Sequence, residues 1–305
     1  MNRHCSKFIS FAYTAIALFL SGAALAQNSR SYVSINGRDS NDCTVADPCR
    51  SINRALAVTD NLGEVVIASS GVYAPATISK PVTISAVGVN ATIVTTDIDS
   101  VGLKINLLAG DVFVRGLSIN GSNAGSSGIT TPTENPPGTS FHLSLYNIQV
   151  QGYEYGVRFA TPNGQLDVYN SQFGPTGGFG ALIQGSGATA YVDGSTFDRN
   201  LIAIQNDAGT TVTVSNSSVA NSNQVGASTG GTMILFKSRI VGNLTGLATG
   251  GNSSKIYLAD CLISGNRDAW DTVFGGVISG TSPGTSLVVP GQVEIGSLGP
   301  TVDLK

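Results

Sequence analysis

Histidine and formal charge are both scarce in this 305-residue chain. Only His4 and His142 occur, and Asp, Glu, Lys and Arg together make up 11%. Downstream of residue 26 the single histidine, His142, stands just before an apolar stretch. The sequence therefore predicts no His-based zinc site and no Ser-His-Asp triad, and His142 reads as a surface or turn residue. The GGxGxD calcium repeat is missing as well, so no metal or cofactor is expected. Long apolar runs are almost as rare. The exception, Phe8 to Leu20, follows the basic Arg3 and Lys7 and precedes Ala24-Leu25-Ala26. That pattern predicts a cleaved secretory signal over 1–26 and an exported protein, secreted, periplasmic or on the cell surface. The run is too short for a membrane anchor, and no later segment is long enough to span. Without Arg3 and Lys7, the 16 basic residues fall to 14 against 19 acidic ones, a net charge of −5 that argues against a nucleic-acid partner.

Cysteine is sparse, with four in all. Cys43 and Cys49 lie six apart around a Pro-containing loop, and an oxidising compartment lets them pair; two free thiols are the alternative. Glycine is plentiful, at 38, while the apolar fraction stays at 41%. This is the balance of a turn-rich all-β chain rather than a disordered one.

What the chain has in quantity is a repeat. LSLYNIQV at 143–150 returns as LDVYNSQF at 166–173, AYVDGSTF at 190–197, VTVSNSSV at 212–219, MILFKSRI at 233–240 and IYLADCLI at 256–263. The steps are 23, 24, 22, 21 and 23 residues, and VFVRGLSI at 112–119 is an earlier copy. A period near two dozen residues on alternating apolar positions describes stacked coils. Within each copy a first strand turns inward at pairs such as Leu143/Leu145 and Val212/Val214. A corner follows at Asn147, Asn170, Gly194 or Asn216, types that tolerate left-handed backbone. Next comes a small-residue column, Ser171, Ser195, Ser217, Ser238 and Cys261, which makes Cys261 a packed side chain rather than a reactive thiol. A second strand ends on an inward residue such as Phe173 or Ile240. Asn200, Asn243 and Asn266 then stand at equal offset before a third strand that opens on a small residue.

This strand–Asn–Ser–strand–Asn–small–apolar rung resembles the right-handed parallel β-helix, or pectin lyase-like, superfamily. The resemblance covers roughly residues 60–275 and implies a single-domain, all-β, right-handed parallel β-helix with three short strands per coil. The expected layout is a signal at 1–26, an N-terminal extension with capping helix at 27–59, the β-helix at 60–275, and capping strands with a tail at 276–305. Asp47-Pro48 reads as the start of the capping helix, over Cys49 to Val58, with Ile52, Ala55 and Leu56 on one face. The steps from 82 to 112 and from 112 to 143 are longer, at 30 and 31 residues, so loops project beside the early coils.

Three sets of residues could carry function. Asn266-Arg267-Asp268-Ala269-Trp270-Asp271 resembles the Asn-x-Asp-Gly-x-Asp strand of polygalacturonase-type glycosidases, whose paired carboxylates protonate the glycosidic oxygen and activate water. Here Ala269 replaces the glycine, residues 272–305 lack His and Arg, and the match is expected on the final rung. On the third-strand face, where the resemblance places sugar binding, Arg158 or Lys104 could act as a base, Glu154 is the nearby carboxylate, and Tyr155 and Phe179 point outward. On the first-strand face Phe113, Tyr146, Tyr169, Tyr191 and Phe236 recur on successive rungs, suiting sugar rings. The competing reading of that stripe is that Tyr and Phe simply form strands well, or that the C-terminal tail packs over them. The sequence thus predicts an extracellular or surface protein of binding or structural character, with a polysaccharide or cell-surface glycan as partner. The alternative is a polysaccharide lyase or glycoside hydrolase acting on a uronate-containing polysaccharide.

Overall fold

The computed structural model describes residues 28–136, 138–272, 274–280, 287–288 and 293–295. The signal expected over 1–26 lies outside the described residues, as does most of the 276–305 tail. The described chain is an all-β right-handed parallel helix, with one short α-helix. Eleven first strands, from Asn28–Val33 to Val277–Gly280, form one sheet in chain order. Their inward residues stack in register: Val82, Val112, Leu143, Leu166, Ala190, Val212, Met233 and Ile256 follow one another from coil to coil. Second and third strands build two further parallel stacks, which Leu117–Thr130 and Gln149–Phe159 join by bending through both.

Each like-residue column has a physical cause. At the first corner Asn147, Asn170, Gly194 and Asn216 have φ of 52°, 48°, 59° and 49°, and Lys237 and Asp260 adopt the same backbone at 48° and 54°. The serine column behind it is buried. The Ser171 hydroxyl donates to the Tyr169 carbonyl (2.8 Å) and accepts the Ile148 amide (3.1 Å). Ser195 and Ser217 repeat this, accepting the amides of Ser171 (3.1 Å) and Ser195 (3.0 Å). Cys261 ends the column, and burial pushes its thiol up, so it stays neutral and inert. At the second corner the Asn243 amide donates to Val219 O (3.2 Å) and Asn266 Oδ1 (2.9 Å), while its Oδ1 accepts the Ser222 amide (2.8 Å). The small residue that follows is enforced by this ladder: a Cβ on Gly226 would lie 2.7 Å from Gly246 O and 2.9 Å from Asn243 Nδ2. Between the ladders, Phe173 and Phe197 stack at 5.0 Å inside the coil.

The two ends differ from expectation. The capping helix is Ile52–Val58, and its N-cap is Ser51, whose side chain accepts the Arg54 amide at 3.1 Å, rather than Asp47. The reason is that Cys49 is held extended beside the first strand, its amide donating to Tyr32 O (2.9 Å) and its carbonyl accepting the Ser34 amide (2.8 Å). Cys43 and Cys49 form a disulfide, and Cys43 O also accepts the Tyr32 amide (2.8 Å). The bridged loop therefore covers the outer edge of the first strand, which would otherwise be open to pairing. Ile52, Ala55, Leu56 and Val58 of the helix are buried against the first coils. At the other end, Val277–Gly280, Leu287–Val288 and Val293–Ile295 pair with the three strands of the preceding coil. The stack thus runs past 275, and Asp268 and Asp271 are not on the last rung.

Candidate functional site

On the first-strand face a cleft of about 810 Å³ lies beside the early coils. Phe113 and Thr83 line it from the sheet, the 86–89 loop forms a side wall, and Arg115 with Glu64 and Tyr146 complete it. Residues 86–90 join the first and second strands here, where Gly116 alone does so on the next coil, and this longer corner creates the room. Glu64 receives two guanidinium groups, Arg30 at 2.7 Å and Arg115 at 2.9 Å, and Arg115 Nε also donates to Ser85 (2.9 Å).

The predicted stripe resolves into two adjacent columns. Tyr146, Tyr169, Asp193, Ser215 and Phe236 share one, while Phe113, Ser144, Asp167 and Tyr191 share the other. Three rings touch. Tyr146 and Tyr169 stack at 4.7 Å and 14°, and Tyr191 leans on Tyr169 at 5.8 Å and 55°. Phe236 lies two coils beyond Asp193, under the Lys237 ammonium at 4.8 Å. Stacking on a neighbour consumes a ring face, so Tyr169 offers its edge and hydroxyl. The unstacked face of Tyr146 lines the cleft, and Tyr146 and Tyr191 are exposed at 37% and 38%. Burial first, then the Asp167 carboxylate and the flanking tyrosines and Asp193, pushes the Tyr169 phenol up.

Sequence reasoning missed His142. It lies within the strand Phe141–Tyr146, on the same outward face. Its Nε2 is 2.9 Å from Asp167 Oδ2, its Nδ1 is 3.8 Å from Asp111 Oδ1, and its ring packs edge-on against Phe113 at 6.1 Å. Ser144 Oγ is 3.2 Å from Nε2, so a Ser-His-Asp grouping does form in space. It cannot work as a triad. Nε2 donates to the Asp167 carboxylate and has no lone pair left for a serine proton, and Ser144 is 1% exposed. The signal that could have found this cluster is the equal strand position of Asp111 and His142, which are register partners.

The other predicted residues are not brought together as a catalytic centre. Lys104 pairs with Thr130 and Thr130 with Arg158, so the two cations stand two coils, about 10 Å, apart. Arg158 Nε donates to Gln184 (2.9 Å), and its guanidinium lies 5.6 Å over the ring of Tyr155, which stacks on Phe179 at 5.4 Å. Glu154 faces a separate 400 Å³ hollow with Asp99 and Tyr153. Asp268 is buried and ion-paired with Arg267 at 2.7 Å. Its coil neighbours are Thr245 and Val293, and those of Asp271 are Ala248 and Ile295, so among the described residues no second carboxylate pair is paired with them.

No family model matches the chain, and no curated protein matches it in sequence. Solved structures do. Pectate lyase Pel9A superposes with a TM-score of 0.55 at 15% identity, covering 85% of this chain and 77% of that one. XylC in complex with xylose superposes at 0.59 with 9% identity, covering 83% and 69%. At such identities the likeness shows the pectin lyase-like fold. Among the described residues, no helix is long and apolar enough to cross a membrane.

Proposed function

With the pectin lyase-like fold as premise, we propose that this is an exported β-helix protein that binds a carbohydrate chain along its first-strand face and has no complete catalytic site. The observation that carries the reading is the continuity of the Tyr146, Tyr169 and Tyr191 rings with the 810 Å³ cleft. A sugar ring entering the cleft meets the free face of Tyr146 for C–H contact, with Arg115 and Glu64 in reach of its hydroxyls. Beyond the cleft the chain passes over ring edges, phenol hydroxyls and the carboxylates of Asp167 and Asp193. The face is built on paired strands, so little ordering opposes binding. The carbohydrate-handling neighbours on this fold support the ligand class. The 1–26 segment and the Cys43–Cys49 bridge support export. Against lyase or hydrolase action on uronates stands the dispersal of Lys104, Arg158, Glu154, Asp268 and Asp271.

Affinity electrophoresis through polysaccharide gels tests the reading. Replacing Tyr146 and Tyr191 with Ala should reduce retention while leaving β-sheet circular dichroism intact, at about 0.5–1.5 kcal/mol per lost ring contact. Equal retention of the variant and the parent protein would remove this face as the binding surface.

A further inference from the structure

We infer that the ligand of this face is a neutral, hydroxyl-rich glycan and not a uronan, an inference that rests on the binding reading above and names its substrate class. No Lys or Arg occurs between Arg115 and Arg158, nor from 159 to 198. The three coils that carry Tyr146, Tyr169 and Tyr191 therefore present aromatic, hydroxyl, amide and imidazole groups on this face, together with the carboxylates of Asp167 and Asp193. Asp111 adds a third carboxylate one coil earlier. The nearest guanidinium, Arg115, is already paired with Glu64.

The two carboxylates are fixed by neighbouring side chains. Asp193 Oδ1 accepts from Ser215 Oγ and Asn216 Nδ2, each at 2.7 Å, which fixes the group and leaves its second oxygen open among the described residues. Ser215 Oγ, whose one proton goes to Asp193, also lies 3.1 Å from the Tyr191 hydroxyl, which ties that phenol to the same cluster. Asp167 is held more tightly, with His142 on Oδ2 (2.9 Å) and Gln165 on Oδ1 (3.1 Å), so it adds fixed negative charge while Asp193 supplies the open acceptor oxygen. Fixed acceptors beside ring edges suit sugar hydroxyls. They repel a carboxylate repeated on every sugar, and no Lys or Arg on the first strands of these coils offsets that repulsion.

The experiment uses the full mature protein with hydroxyethylcellulose, glucomannan, galactan and polygalacturonate, at low salt, with EDTA or with calcium. At least one neutral polymer should retard the protein, and polygalacturonate should not. Asp193→Asn keeps the acceptor for Ser215 and Asn216 while removing the charge. It should raise polygalacturonate binding on the order of tenfold at low salt, a gain that disappears in 0.5 M salt, as screening requires. Polygalacturonate binding as tight as any neutral polymer, alone or bridged by calcium, would overturn the inference while leaving the binding reading intact. Retention by none of the four polymers would overturn the binding reading, and this inference with it.

Discussion

Asn243→Ala is the sharpest perturbation of the fold. The side chain is 3% exposed and makes three hydrogen bonds: Nδ2 to Val219 O (3.2 Å), Nδ2 to Asn266 Oδ1 (2.9 Å) and Oδ1 from the Ser222 amide (2.8 Å). Alanine removes all three. Asn266 Oδ1 keeps the Asn243 backbone amide at 2.9 Å, so it is not stranded. The buried Ser222 amide is stranded, at about 1–3 kcal/mol, and the two lost donor bonds add about 1 kcal/mol each. The expected loss is about 3–5 kcal/mol in urea unfolding followed by circular dichroism and Trp270 fluorescence. Exchange of the Ser222 amide should accelerate in parallel. Asn170→Gly, at an exposed corner with φ of 48°, is the control and should change stability by less than about 0.5 kcal/mol. An Asn243→Ala loss below about 1 kcal/mol with a protected Ser222 amide would refute the assignment of the asparagine column as a coil-to-coil ladder.

Other outcomes follow from the same geometry. Lys237→Asn places at a φ of 48° the residue type used at the equivalent Asn147, Asn170 and Asn216 corners, and should raise stability by about 0.5–1 kcal/mol in the same assay. Cys49→Ser opens the bridged loop and should cost about 2–3 kcal/mol by loop-closure entropy, with light scattering rising as the first strand loses its cover. Burial of the Asp39 carboxylate is outweighed by the Ser51 and Arg50 amides it accepts, which hold it below the usual carboxylate range. Its folded value is depressed, so its contribution is fully present above the unfolded carboxylate value and is lost as pH falls through the folded one. Asp39→Ala should therefore unfold earlier than the parent at neutral pH and converge with it in acid.

Columns were legible from the sequence because a parallel coil turns each spatial ladder into a fixed spacing. Ser171 to Cys261 and Asn200 to Asn266 could be read directly for that reason. Lys237 and Asp260 were not recognised as left-handed corners, since their types do not advertise that backbone, and stacking imposes it. The cap was misplaced by four residues because a helix start at Asp47-Pro48 is a local signal, while the pairing of Cys49 with Tyr32 and Ser34 is not. The site was harder still. Alternation identified which rings face outward but not that Tyr146 and Tyr169 spend their faces on each other. The His142–Asp167 contact joins positions 25 residues apart, where coil length must be known before register can be assigned.

The central claim concerns where a sugar sits, and a crystal structure with the tightest-binding neutral oligosaccharide tests it most directly. The account places a sugar ring in the 810 Å³ cleft against the free face of Tyr146, with the chain continuing past Tyr169 toward Asp193. A ligand bound instead along the third-strand face, over Tyr155, Phe179 and Arg158, would contradict it.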